Sequence, residues 1–103
     1  RRLFQQHSVV GEHLLQDCGL DDLARAVRHH HERWDGRGYP DHLGGDQIPL
    51  LARLVHVAEV WDVLTAATSY RRPVGGKRAL EIMRTAGGEQ FDPELVECLA
   101  RVV

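Results

Sequence analysis

Apolar residues recur with helical spacing along most of the chain, and nowhere does the sequence alternate with the period of two that a strand requires. In the first third, Phe4, Val10, Leu14 and Cys18 fall near one stripe, which Gly19 ends. A second, shorter helix is predicted to begin near Asp21 and Asp22, whose carboxylates suit the positive end of a helix; its inward face reads Leu23, Ala26, Val27. From Leu50 to Ala67 nearly every side is apolar, which predicts a central helix buried all round. Ala79, Leu80, Ile82 and Met83 mark another helix, with Lys77 and Glu81 at i,i+4 and Gly87-Gly88 as the stop. The last helix opens with Asp92 as N-cap and Pro93 at the first helical position. The expected fold is all-α, a bundle of about five helices.

One segment differs in kind. Glu32 to Pro49 holds Gly36, Gly38, Gly44, Gly45, Pro40 and Pro49 and keeps no period. A loop of that length in a small domain usually carries function.

At 103 residues and 11.6 kDa the chain is long enough for one modest core, so residues 1–103 are expected to form a single domain. A net charge of −2 without a basic block argues against nucleic acid or a membrane surface as partner. No apolar run approaches the roughly 20 residues that span a bilayer, and the first residues do not read as a signal peptide. Cys18 and Cys98 form no Cys-x-x-Cys pair; they are expected to be small core residues of a reduced, cytoplasmic chain.

Histidine changes the picture. Seven His outnumber the six aromatics, and three are consecutive. His30 and His31 lie three and four residues after Val27 and continue its stripe, so both are expected to point inward while His29 faces water. Adjacent buried imidazoles need partners. Hydrogen bonds at a helix end would serve, and so would one or two metal ions. His7, on the apolar side of its helix, is open to the same two readings. Glu59 sits inside the most hydrophobic helix, and a carboxylate buried there would need His56, an arginine such as Arg53, or a metal; Asp62 is equally ambiguous. His13, His42 and His56 suggest no role by themselves.

The block His30-His31-Glu32-Arg33-Trp34-Asp35-Gly36-Arg37-Gly38-Tyr39-Pro40 closely resembles the motif of the HD-GYP family, metal-dependent phosphodiesterases of the bacterial second messenger cyclic di-GMP. The similarity continues through Ile48-Pro49, Ala52-Arg53, Val57-Ala58-Glu59-Val60-Trp61-Asp62, Leu64-Thr65, Tyr70-Arg71 and Phe91-Asp92-Pro93-Glu94-Leu95-Val96. Upstream, His7 and Gly11 match a His-x-x-x-Gly helix, with Ser8 where proline is usual. The resemblance implies a partial HD-domain-like bundle with His7, His30, His31 and Glu59 in metal-ligand positions, the metal being iron or manganese. It implies that Gly38-Tyr39-Pro40 border the substrate cleft and that Arg71 contacts a substrate phosphate.

Three departures qualify what the resemblance implies. Glu59 stands where the family has an aspartate, and Thr68 where it has an arginine. The adjacent His-Asp pair, whose aspartate bridges two metals in the family, is absent from these 103 residues, as though the N-terminal side of the domain were missing. The expectation is therefore a degenerate or incomplete phosphodiesterase, with metal bound weakly or not at all, acting as a signalling module that docks a protein partner through the Gly38-Tyr39-Pro40 loop. The alternative is part of an active two-metal cyclic di-GMP phosphodiesterase, completed by upstream helices or a partner chain. Either way the apolar faces around Phe4, Val10, Leu14, Leu54 and Trp61 would lack cover, which predicts a homodimer or higher oligomer.

Overall fold

Among the described residues five helices follow one another: α1 (Arg2–Asp17), α2 (Asp21–His29), α3 (Leu50–Thr65), α4 (Gly76–Thr85) and α5 (Pro93–Val102), with a 3-10 turn at Gly45–Gln47 inside the long loop. The computed structural model describes the backbone of residues 2–67 and 72–103, and side chains from Ser8 onward within those ranges. Among the described residues there is no strand; a lone bridge pairs Gly87 with Phe91. None of the helices is long and apolar enough to cross a membrane.

The punctuation residues act as expected. Gly19, at φ +77°, turns the chain out of α1 in the left-handed conformation glycine tolerates best. Asp92 caps α5 by accepting from the Glu94 backbone N–H at 3.0 Å, with Pro93 at the first position. Its other oxygen accepts from Arg53 Nη1 at 2.8 Å, while Arg53 Nε donates to the Ile48 carbonyl. One guanidinium thus joins α3, the end of the loop and the start of α5.

The core lies where α3, α4 and α5 meet: Val57, Met83, Phe91 and Val96 are buried, with Val60, Trp61, Leu64, Ala86, Leu95 and Leu99 packed against them. Trp61, expected to lack cover, is part of this cluster. On the other side α1 packs on α2, and α2 on α3. The packed face of α1 is Ser8, Gly11, Glu12 and Leu15, not the apolar stripe: Val10 and Leu14 are 65% and 64% exposed, and Cys18 is exposed too. Close approach decides this. A Cβ on Gly11 would come within 2.7 Å of Val27 Cγ1, and Glu12 meets Arg28 of α2 at 2.7 Å.

Four further expectations are corrected. The central helix is not buried all round: only Ala52 and Val57 are buried, and Leu50, Leu51, Leu54 and Val63 are exposed, because the described neighbours α2, α4 and α5 leave part of α3 uncovered. Leu23 of α2 points outward, the buried residues being Ala24 and Ala26. Cys98 is exposed, its thiol meeting Arg101. In α4, Glu81 pairs with Arg78 at 3.1 Å.

Candidate metal centre

α2 ends at His29, and His30 follows it as the C-cap residue. That termination puts two histidines on the turn leaving the helix, beside the middle of α3. His30 is buried; its Nδ1–H donates to the Val27 carbonyl at 2.5 Å, which fixes the tautomer and turns Nε2 toward the Glu59 carboxylate, 3.7 Å away. The His31 ring lies 4.0 Å from that of His30, centroid to centroid, and stacks on Tyr39 at 5.1 Å. Ligand atoms of His30, His31 and Glu59 all fall within 4.8 Å of one another.

Two imidazoles and a carboxylate suit a first-row divalent metal, and a histidine whose second nitrogen is tied to a backbone carbonyl is the usual arrangement of a metal ligand. The residues present therefore fit a metal. Glu59 differs from the sequence expectation in one respect. Its side chain is 51% exposed, not buried, so solvent shares with His30 in offsetting its charge. The side chain of His7, and Arg71 entirely, lie outside the described residues.

Gly38, Tyr39 and Pro40 follow in the loop, with a cis peptide between the last two. A Cβ on Gly38 would collide with the His31 carbonyl and the backbone of Glu32 and Arg33, so the loop rests directly on the histidine turn. The Tyr39 N–H donates to the same carbonyl at 3.3 Å. Burial and the Glu59 charge push the Tyr39 phenol above its ordinary range, so it stays protonated near neutral pH. Asp35 braces the loop's start. Burial pushes its carboxyl up, but bonds from the Arg33 side chain and the Arg37 N–H outweigh burial and hold it low.

A cleft of about 520 Å³ opens beside the histidines, lined by His31, His56, Glu59, Asp62 and Gln90 over an apolar wall of Val60, Val63 and Leu64. Sequence reasoning gave His56 no role. In the structure it hydrogen-bonds the His30 backbone, meets Gln90 Nε2 at 3.3 Å and packs on Phe91. Burial outweighs the bond to the His30 backbone and pulls it down to about 4, so it is neutral.

Also missed was the carboxylate under the loop. Glu32 is buried and accepts from three donors. Its partner His29, expected in water, is only 12% exposed in its side chain. No local sequence signal marked it, since its backbone donors lie 9 and 11 residues along the chain.

Residues 1–95 match the model of the HD domain family. The chain belongs to the HD domain family. Within it, this HD domain is 44% identical to the 3'3'-cGAMP-specific phosphodiesterase 2 of Vibrio cholerae over 92% of its length, and 39% identical to the cyclic di-GMP phosphodiesterase response regulator RpfG of Xanthomonas campestris over 96%. These relatives support its place in the HD-GYP group. A crystal structure of the V. cholerae cyclic GMP-AMP-specific phosphodiesterase V-cGAP3 superposes with a TM-score of 0.84 at 27% identity, covering 98% of this HD domain and 23% of that chain. The HD domain described here spans only 20% and 27% of the two sequence relatives.

Proposed function

We propose that these 103 residues form one domain contributing part of the metal centre and one wall of the substrate cleft of a bacterial cyclic-dinucleotide phosphodiesterase of the HD-GYP type. The observation that carries this reading is the convergence of His30, His31 and Glu59, with the His30 tautomer already set for ligation. His7, on α1, is the fourth candidate ligand. A divalent ion, iron or manganese by resemblance, would supply Lewis-acid polarisation of a phosphodiester and an activated water. The chain's own contribution is to hold that ion, to border the cleft with Gly38-Tyr39-Pro40, to present the neutral Tyr39 hydroxyl as a donor, and to offer Arg71 to a phosphate.

The substrate class is a cyclic purine dinucleotide, as the names of the relatives indicate for those proteins. Three ligands among the described residues are enough for one ion and too few for two, so the 103 residues alone should turn over little or no substrate. The second reading, a degenerate module that docks a signalling partner through the same loop, draws support from Glu59 and Thr68 in place of aspartate and arginine.

Calorimetric titration with Mn²⁺ under anaerobic, chelator-free conditions tests the reading. Saturable binding near one ion per chain, lost in His30→Ala and in His31→Ala, is expected. A wild-type chain that binds no Mn²⁺ or Fe²⁺, with melting temperature unmoved by either, would overturn it in favour of the docking module.

A further inference from the structure

Glu32 is a carboxylate whose side chain has no exposed surface. Oε1 accepts from the Leu43 backbone N–H at 3.0 Å. Oε2 accepts from the Asp41 backbone N–H and from His29 Nδ1–H, each at 3.0 Å. A buried anion persists only when such donors replace its water, and bonds to a charged acceptor are about twice as strong as neutral ones. The donors come from opposite sides: His29 closes α2 immediately before the candidate ligands, while Asp41 and Leu43 lie just beyond Gly38-Tyr39-Pro40.

The backbone reinforces the link. Glu32 N–H donates to the His29 carbonyl at 3.0 Å, and Tyr39 N–H to the His31 carbonyl at 3.3 Å. Gly38 rests against residues 31–33 with no room for a side chain. Glu32 itself does not line the cleft beside the histidines.

We infer that Glu32 is a positioning residue whose carboxylate locks the His30–His31 turn and the Gly38–Pro40 loop into one unit, so that the histidines and the Tyr39 ring stacked on them move together or not at all. The inference rests on the proposed function for its bearing on catalysis, but its structural content can be tested without metal. Glu32→Gln keeps the shape and removes the charge; one of its two ends then presents an N–H to a backbone N–H.

In metal-free protein followed by NMR, Glu32→Gln is expected to raise amide exchange at Asp41 and Leu43 by at least about tenfold, the loss of one hydrogen bond's net worth. It should also shift the His31 ring resonances as Tyr39 leaves. Exposed loop amides with unmoved His31 resonances would overturn the inference, because the turn would then hold without the carboxylate. Should Glu32→Gln fail to fold, native-state exchange of the wild type decides. The amides of Glu32, Tyr39, Asp41 and Leu43 should open in one event with a common denaturant dependence, and separate openings would refute the lock.

With Mn²⁺ the same variant should lose roughly 10- to 100-fold in affinity, as supporting partners of ligands typically do. A wild type that binds no Mn²⁺ removes the catalytic bearing only, and the His31 resonances still settle whether Glu32 positions the turn.

Discussion

The Glu59 carboxylate stands half in solvent with Oε2 3.7 Å from His30 Nε2. An aspartate there would be one methylene shorter and would draw the carboxylate back from the histidine turn. Glu59→Asp is therefore expected to weaken Mn²⁺ binding by about tenfold or more, with little change in melting temperature because the side chain is not part of the core. Titration calorimetry alongside a thermal melt checks both, and unchanged affinity would remove Glu59 from the ligand set. Gly38→Ala should behave oppositely. Its Cβ would strike backbone atoms of residues 31–33, and relieving that overlap costs on the order of 1–3 kcal/mol, read as a lower urea midpoint together with a displaced loop. At this scale the sequence was legible where one residue's period sufficed: His30 does continue the buried face of α2. It was silent on Glu32 and His29, whose partners lie 9 and 11 residues away or depend on where a helix ends.

Between elements, Arg28 is the principal tie. Its Nη1 donates to Glu12 of α1 at 2.7 Å, and its Nε and Nη2 grip Asp41 in the loop at 2.8 and 3.0 Å. The helix that carries His7, the helix that leads to His30 and the loop that follows Tyr39 thus share one guanidinium. Bonds from Arg28 outweigh the cost of burial and hold the Asp41 carboxyl below its ordinary value. A carboxyl depressed on folding stabilises the fold at every pH above its unfolded value, near 3.9, and that contribution is lost as pH falls through the folded value. Arg28→Met should cost about 1–2 kcal/mol near neutral pH, since both pairs are partly screened by solvent. The gap in melting temperature between wild type and variant should then narrow below about pH 4, and a gap indifferent to pH would show that packing, not charge, explains the loss. The helices themselves were readable because caps and breakers announce them: Gly19, Asp92 and Pro93 act locally. Which face of α1 packs was not readable. Gly11 and Glu12 win that face through a close approach and an ion pair with residues of α2, and a hydrophobic stripe says nothing about either.

For the molecule as a whole, the distribution of leucines has consequences. Val10 and Leu14 on α1, Leu20 and Leu23 around α2, and Leu50, Leu51 and Leu54 on α3 are all exposed. The accessible surface is 6,916 Å², whereas a compact chain of this mass is expected to expose ~5,800 Å². The radius of gyration, 14.2 Å, likewise exceeds the roughly 12.8 Å expected for this length. The surplus, roughly 1,100 Å², is comparable with the ~800 Å² that one partner contributes to a standard interface. Exposed leucines gathered on that surplus surface favour association. The 103-residue protein is accordingly expected to self-associate at micromolar concentration, with the uncovered sides of α1, α2 and α3 in the interface. In sedimentation velocity, replacing Leu14 and Leu54 by glutamate should shift the dominant species toward the monomer while leaving helicity by circular dichroism unchanged, because neither side chain contributes to the Val57–Met83–Phe91–Val96 core. A wild-type protein that sediments as a well-behaved monomer would show that these leucines tolerate water, and the surplus area would then reflect only the open arrangement of two packed pairs of layers about α3.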